Sequence, residues 1–150
     1  MLRLVLLLAV FSLVKAQTTN VEQCVIHQGA LPVNTYVEGC LNPPCFVEPG
    51  GDAVLHLIFN APHLITSMET LVTVEVPGLG VLQFPLEEYA VTCNFLTNSY
   101  CPILPGEVLQ YSLRLNIPAI ISSITVMIEF YVVDEHKNTV MCLRVPVTVP

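Results

Sequence analysis

Short runs of alternating apolar and polar residues dominate the chain. They occur in five stretches, residues 53–59, 71–76, 109–117, 124–132 and 143–149. Because successive side chains of a strand point to opposite faces, each stretch predicts a half-buried β-strand. After residue 16 no stretch keeps a helical period. Several short strands with turn residues between them predict an all-β sandwich or barrel.

The alternation also predicts which side chains point inward. These are Leu55, Leu57, Phe59, Val72, Val74, Leu113, Leu115, Ile117, Ile124, Val126, Ile128 and Phe130. Residues 134–138 are predicted to form a hairpin loop between the last two strands. Residues 77–82 and 117–121 are interpreted as apolar loops. Such loops fit the mouth of an apolar cavity, a contact with another protein, or packing over one end of a sandwich.

The N-terminus has the pattern of a secretory signal peptide. Arg3 precedes an apolar run over residues 4–14, and small residues, Val14 and Ala16, stand before the predicted cleavage site. The run is shorter than the about 20 residues that span a bilayer. We therefore expect residues 1–16 to be removed, and residues 17–150 to form one secreted domain without stable membrane insertion.

Six cysteines remain in the predicted mature chain. In an oxidising compartment an even number predicts disulfides. Two close pairs flank short turn-rich stretches, and the other two cysteines lie near the two chain ends. The spacing thus favours the pairs Cys40–Cys45, Cys93–Cys101 and Cys24–Cys142. There is no C-x₂-C pair, and the histidines do not cluster with the cysteines, so we expect no metal and no cofactor.

Charge narrows the classes of partner. Of 150 residues only 11% are charged, with five Lys and Arg against twelve Asp and Glu. Without the signal peptide three basic and twelve acidic residues remain, a net charge of −9. This balance argues against nucleic acid and against electrostatic docking on anionic membranes. We expect the acidic surface to keep the protein soluble and monomeric.

Motifs for catalysis are absent. The chain has no G-x-S-x-G, no H-E-x-x-H and no P-loop pattern. The neighbouring carboxylates at residues 87–88 and 134–135 are expected to be solvated in loops. The four histidines are scattered singly, and no N-x-[ST] site occurs. We therefore expect a protein that is neither an enzyme nor N-glycosylated.

Several motifs resemble the ML (lipid-recognition) domain family from Cys24 to the end of the chain. They are Gly39-Cys40, Pro44-Cys45, Phe84-Pro85, Cys93, Cys101-Pro102, Tyr111-Ser112 and the closing C-L-R-V-P-V at residues 142–147. Within the family, the Niemann-Pick type C2 proteins, including secreted arthropod members, are most similar. The resemblance implies an immunoglobulin-like β-sandwich with an apolar cavity between two splayed sheets. It also implies the disulfide pairing that the spacing favours.

The resemblance implies roles for individual residues. Phe84 matches a phenylalanine at the family's pocket, and Phe130 matches a pocket-lining aromatic residue. Ile117 and Ile121 match an apolar pair at the cavity mouth. With the inward residues of the strands, these complete the predicted set of ligand-binding residues.

The chain also departs from the family. His56 stands where the lysosomal sterol carrier has its glycosylated asparagine, which removes the basis for glycan-dependent sorting. Residues 119–123 lack the lysines that help family members to contact anionic lipids. Ile121 replaces a tyrosine at the mouth. The resemblance therefore does not carry sterol specificity to this chain.

These observations predict a secreted, non-enzymatic carrier of small hydrophobic ligands, such as fatty acids, fatty alcohols, sterols or semiochemicals. Chemosensory transport is one role that the arthropod likeness suggests. Two alternatives remain open. One is lysosomal or extracellular sterol transfer. The other is a recognition module of the immune type, which would dock its apolar loops on a membrane receptor.

Overall fold

The computed structural model describes residues 17–150, so the predicted signal peptide lies outside the described residues. The strands are β1 (Asn34–Val37), β2 (Cys45–Phe46), β3 (Asp52–Asn60), β4 (Met68–Val76), β5 (Gly80–Phe84), β6 (Val108–Asn116), β7 (Ile124–Asp134) and β8 (Thr139–Val149). Two 3₁₀ helices, Glu87–Ala90 and Thr92–Phe95, lie between β5 and β6.

The strands form two sheets. One has three strands in the order β1-β3-β6, and the other has five in the order β2-β8-β7-β4-β5. The neighbouring strands are antiparallel except for β2 and β8, which run parallel. Three disulfides, Cys24–Cys142, Cys40–Cys45 and Cys93–Cys101, link the cysteine pairs that the spacing favoured. The prediction of an all-β sandwich is confirmed.

Five strands coincide with the predicted stretches, and one loop prediction is wrong. Residues 77–82 were expected to form a loop, but Gly80 already begins β5, which pairs with β4. Pro77 and Gly78 are typical of turns, so the sequence around them does not predict that a strand follows. Gly80 itself has a φ of 87°, which a glycine adopts without strain. The turn is therefore shorter than expected, and its second half belongs to the sheet.

Register fixes which side chains share a face. Leu57 lies opposite Tyr111 in the three-stranded sheet, and Val72 lies opposite Phe130 in the five-stranded sheet. Cross-strand partners point to the same side of a sheet. These inner faces meet in one apolar core, which holds the largest buried side chains of both sheets. The predicted inward face of each strand is the face that contacts the opposite sheet.

A buried carboxylate organises the outer face of the five-stranded sheet. Glu129 on β7 is only 1% exposed. The backbone N–H groups of Val25, Ile26 and His27 donate to its two oxygens at 2.8–3.1 Å. Arg144 donates from Nη1 at 2.8 Å. These bonds fasten the segment before β1 to the sheet, next to the disulfide that joins Cys24 to β8.

The same segment covers an aromatic side chain. The ring of His27 stacks on Tyr131 with 4.0 Å between centroids, and its Nε2 lies 3.0 Å from the Thr73 hydroxyl. Tyr131, Val133 and Cys142 form a small buried cluster there. The outer face of this sheet thus has a second, smaller core of its own.

A second expectation from the sequence, that Asp134 is solvated, is wrong. Its carboxylate was expected to be solvated, but the residue is buried. It accepts hydrogen bonds from the backbone N–H groups of His136 and Asn138 and from Nε2 of His63, at 2.8–2.9 Å. Burial opposes its charge, but these bonds outweigh burial and lower the pKa of Asp134. The carboxylate closes the β7–β8 hairpin instead of facing water.

Replacing Glu129 tests the hydrogen bonds that hold residues 25–27 and Arg144 to its carboxylate. We call this group of bonds the outer-face clamp. Glu129→Gln puts an amide nitrogen among four donors, so we expect a loss of about 3–5 kcal/mol in the free energy of unfolding. Glu69→Gln is the control, because the Glu69–Lys137 ion pair is exposed and should contribute about 0–1 kcal/mol. Urea unfolding at pH 7 measures both. Similar losses in the two variants would contradict the clamp.

The pH dependence of stability gives an independent check. Burial opposes the charge of Glu129, but the three amides and Arg144 outweigh it and hold its pKa below the usual 4.5. As pH falls through that value, the unfolded chain takes up the proton before the folded chain does. We therefore expect the free energy of unfolding to decrease below pH 4.5 and to decrease less steeply in Glu129→Gln. Equal slopes would show that another group controls acid unfolding.

Candidate functional site

The space between the sheets is lined by apolar side chains and holds no basic residue of the described chain. Arg114 pairs with Asp52 on the outside, and Lys137 pairs with Glu69 beside the last hairpin. Arg144 is held by the outer-face clamp. An interior without cations suits an uncharged occupant, because a buried charge needs a partner.

Burial of the predicted ligand-binding residues is graded along the sandwich. Five of them are buried, namely Leu57, Phe59, Val72, Leu113 and Phe130. The others are half-buried, namely Leu55, Val74, Phe84, Leu115, Ile117, Ile121, Ile124, Val126 and Ile128. Except for Phe84, which lies opposite Val72 in the middle of β4, the half-buried residues cluster where β3 and β7 begin, where β4 and β6 end, and in the loop that follows β6. We call this end of the sandwich the open end.

Two connections frame the open end, the turn at residues 77–79 and the loop at residues 117–123. Ile117 extends the pairing of β6 with β3, because its N–H donates to Gly51 and its carbonyl accepts from Gly50, both at 2.8 Å. The N–H of Ile121 donates to the carbonyl of Pro118 at 3.0 Å. These bonds hold both predicted mouth residues near the ends of the strands.

Exposed apolar side chains surround the open end. Phe46 on β2 is 70% exposed, Leu79 in the turn 75%, and Ile120 in the loop 91%. Leu82 is 52% exposed, although its register opposite Val74 puts it on the inner face. Leu82 is absent from the predicted inward residues, because the sequence analysis interprets residues 77–82 as a loop. The alternation of Gly80, Leu82 and Phe84 was the signal that could have found it.

The opposite end is closed. Ile65 and Ile103 form a backbone bridge between two connecting segments, and both side chains are fully buried. Nearby, the Thr70 hydroxyl lies 2.7 Å from the Thr92 hydroxyl and 2.9 Å from the Tyr111 hydroxyl. Burial raises the pKa of Tyr111, so this hydroxyl stays protonated. We call these three residues the hydroxyl cluster.

Two surface depressions of about 430 Å³ each lie outside the interior. One lies beside Asn34 and the segment that starts at Thr18. The other surrounds His56 on the outer face of the three-stranded sheet. His56 bonds to Ser112 at 2.7 Å and to Glu38 at 2.9 Å, and these bonds lie across neighbouring strands.

One group of side chains has the spacing of a metal site. Atoms of Cys24, Glu129 and Cys142 lie within 4.8 Å of one another. Both sulfurs are consumed in a disulfide, and the carboxylate is fully engaged by amides and Arg144. This group therefore offers no thiolate to a metal ion.

Fold and site together define a class, an immunoglobulin-like β-sandwich with an apolar interior whose side chains are partly exposed at one end. The sequence profile of the ML domain matches residues 18–149, and the chain belongs to this family. The resemblance predicted from the cysteine and proline motifs is thus confirmed at the level of an ML, Niemann-Pick type C2-like protein. Its assignment to the arthropod members stays a prediction.

Relatives agree with this membership. A mouse protein described as NPC intracellular cholesterol transporter 2 is 26% identical over 145 residues, which cover 97% of this chain and 94% of the relative. The crystal structure of a Niemann-Pick type C2 protein from Japanese carpenter ant superposes with a TM-score of 0.72 at 14% identity, covering 87% of this chain and 99% of that one. The C-terminal domain of wzt reaches 0.54 at 9% identity, covering 83% and 75%. These structural likenesses show the fold.

Residues 17–150 contain no helix that is long and apolar enough to cross a membrane.

Neighbouring leucines on one strand test the graded burial. Leu113 is 1% exposed, whereas Leu115, two residues further along the same face of β6, is half-buried. We expect Leu113→Ala to lower the free energy of unfolding by about 2–5 kcal/mol, and Leu115→Ala by about half as much or less. Denaturant unfolding of the ligand-free protein measures both. Equal costs would mean that the open end is packed as tightly as the closed end.

Proposed function

We propose that the protein is a secreted, non-enzymatic carrier that holds a small hydrophobic molecule between its two sheets. The observation that carries the proposal is the graded burial of one continuous apolar surface. Inner-face side chains such as Leu55, Val74 and Ile128 stay partly accessible at one end, although strand register turns them toward the opposite sheet. An accessible apolar concavity is the usual form of a small-molecule site.

Burial of apolar surface supplies the driving force. Each Å² removed from water contributes about 25 cal/mol, less the cost of ordering the ligand and side chains. The half-buried residues of the open end have surface left to bury, whereas Leu57 and Leu113 have almost none. We propose that a ligand first contacts the open end and then displaces side-chain contacts further inside. Ile117 and Ile121 would line its entrance, and Phe84 and Phe130 would contact it inside.

The ligand class is a lipid or lipid-like molecule. Fatty acids, fatty alcohols, sterols and semiochemicals all present long apolar surfaces. The mouse relative's description as a cholesterol transporter supports sterols as candidates. The family resemblance matches Ile121 with a tyrosine of the sterol carrier, so the proposal does not extend to specificity for sterols.

Secretion is part of the proposal. Three disulfides, one of which joins residues 118 positions apart, are typical of an oxidising compartment. The N-terminal pattern of residues 1–16 agrees with export. Transfer of sterol at anionic lysosomal membranes is less well supported. The net charge of −9 on residues 17–150 would oppose such contact, and the loop at residues 117–123 has no basic residue.

Receptor docking is a second candidate function, supported by a different observation. Phe46, Leu79 and Ile120 expose apolar side chains around the open end, where they do not contribute to the interior. Exposed apolar patches commonly mark protein contacts. The two functions are compatible, because a receptor that covers the open end would meet both the rim and the ligand.

Variants on the two faces of β7 test the carrier. A fluorescent apolar probe is titrated into the delipidated protein and displaced by long-chain alcohols, fatty acids and cholesterol. Ile128→Asp and Phe130→Ala change the inner face, and we expect at least about tenfold weaker binding, since one buried charge or one lost aromatic contact exceeds about 1.4 kcal/mol. Thr125→Asp is the control, because Thr125 lies on the outer face, bonded to Thr148 at 2.9 Å.

The outcomes separate the candidates. Loss of binding in the two inner-face variants alone supports a ligand between the sheets. Equal effects in all three variants would contradict it. Absence of binding to any lipid by the unaltered protein would favour docking, and Ile120→Asp would then be expected to abolish receptor capture.

A further inference from the structure

The hydroxyl cluster contains one more donor than its hydrogen bonds use. Thr70, Thr92 and Tyr111 each carry one O–H donor, and each is no more than 1% exposed. Two hydroxyl–hydroxyl contacts, at 2.7 and 2.9 Å, consume two of these three protons. Among residues 17–150 none of the three hydroxyls has another hydrogen-bond partner. One buried proton is therefore left without an acceptor, which is costly unless something else supplies one.

The cluster borders the apolar interior. Tyr111 shares the inner face of the three-stranded sheet with Leu57, its cross-strand partner. Thr70 precedes Val72 on the inner face of β4, and the Tyr111 ring lies 6.2 Å from that of Phe130. Residues of both sheets and of a 3₁₀ helix thus place three hydroxyl groups beside Phe130. A molecule that passed Phe130 would meet this spare donor.

We propose that the hydroxyl cluster binds a neutral oxygen atom at the inner end of the carried lipid. The ligand would be an alcohol, ketone, aldehyde or ester whose oxygen accepts the spare hydrogen bond, while its chain runs toward the open end. The inference rests on the proposed carrier function and names its ligand class more narrowly. In this binding mode the polar group of the ligand points inward, away from water.

Charge decides between neutral and ionised head groups. The three basic residues of the described chain are all paired outside the interior. The pKa of Tyr111 is raised by burial, so the cluster itself is uncharged at neutral pH. A carboxylate here would lose its hydration and gain hydrogen bonds but no counter-charge, which is unfavourable for a buried charge. A neutral oxygen needs only one donor, which the cluster has.

The dimensions fit a long aliphatic chain. Tyr111 and Ile117 lie on one line of inward positions, six residues apart along β6 and its extension. At about 3.3 Å per residue the distance from the cluster to the entrance is about 20 Å. A chain of the length found in common fatty alcohols spans that distance.

A matched pair of probes tests the proposal. Hexadecan-2-one carries one acceptor oxygen near its end, and 1-hexadecene carries none. The variant Tyr111→Phe/Thr70→Val/Thr92→Val removes all three hydroxyls with nearly the same shape, and replacing both sides of a buried hydrogen bond by apolar groups changes stability little. Competition against the fluorescent probe should show about tenfold weaker ketone binding in this variant and unchanged hexadecene binding.

Thr35→Val is the control variant. Thr35 also has a buried hydroxyl without a hydrogen-bond partner, but it lies on β1, on the same inner face opposite Leu57 and two strands away from Tyr111. Its replacement should leave the affinity for both probes unchanged. A selective loss of ketone binding in Thr35→Val, with none in the triple variant, would move the polar end to β1 and overturn the proposal.

Infrared spectra locate the oxygen directly. With ¹³C at its carbonyl, bound hexadecan-2-one should absorb at a lower frequency than in hexane and return toward the hexane value in the triple variant. A water-like frequency that the variant leaves unchanged would mean that the oxygen stays at the open end or that water satisfies the cluster, and would overturn the proposal. If neither probe binds the unaltered protein, the carrier function itself fails.

Discussion

The buried carboxylate of Glu129 holds the N-terminal segment against the outside of the larger sheet. It gathers three consecutive amides and a guanidinium onto the outer face of the central strand of the larger sheet. Beside it, the Cys24–Cys142 disulfide closes a loop of 118 residues, which contributes about 4–5 kcal/mol on the chain-entropy model. The N-terminal segment is thereby fixed from outside, so this sheet does not depend on its inner face alone for stability.

The two ends of the sandwich differ in how tightly they are packed. The closed end holds the fully buried pair Ile65 and Ile103, whose backbone bridge joins two segments that connect strands. The open end holds half-buried apolar residues framed by a short turn and a hydrogen-bonded loop. The proposed carrier function needs both properties, because the fold must remain stable when the ligand is absent and the open end must rearrange when the ligand enters. Separating them along the strand axis lets each be tuned by different residues.

Sequence periodicity predicted the parts of the fold that depend on alternation. The strands β3, β4, β6, β7 and β8 were predicted because their inner positions repeat with period two. Strands β1 and β2 are too short to show a period, and β5 was obscured by turn residues that precede it. The family resemblance and the apolar loops predict a cavity mouth, and the structure places half-buried apolar residues at one end of the sandwich. The ligand-binding role of its residues stays a prediction.

Polar groups were where the sequence was least informative. Glu129 occupies an outer-face position that ordinarily faces water, and only the folded path of residues 25–27 turns it into a buried anchor. Asp134 likewise depends on turn amides and on His63, which lies 71 positions away. The hydroxyl cluster joins residues of β4, β6 and a 3₁₀ helix. Such contacts carry no local signature, because the partners meet only in three dimensions.

Native mass spectrometry of the protein secreted from a eukaryotic cell, before and after organic extraction, measures whether a lipid occupies the space between the sheets. We expect a bound mass in the lipid range that disappears on extraction and returns when a long-chain lipid is added back. A protein that emerges empty and takes up nothing from a mixture of sterols, fatty acids, alcohols and ketones would contradict the claim that the space between the sheets is a binding site.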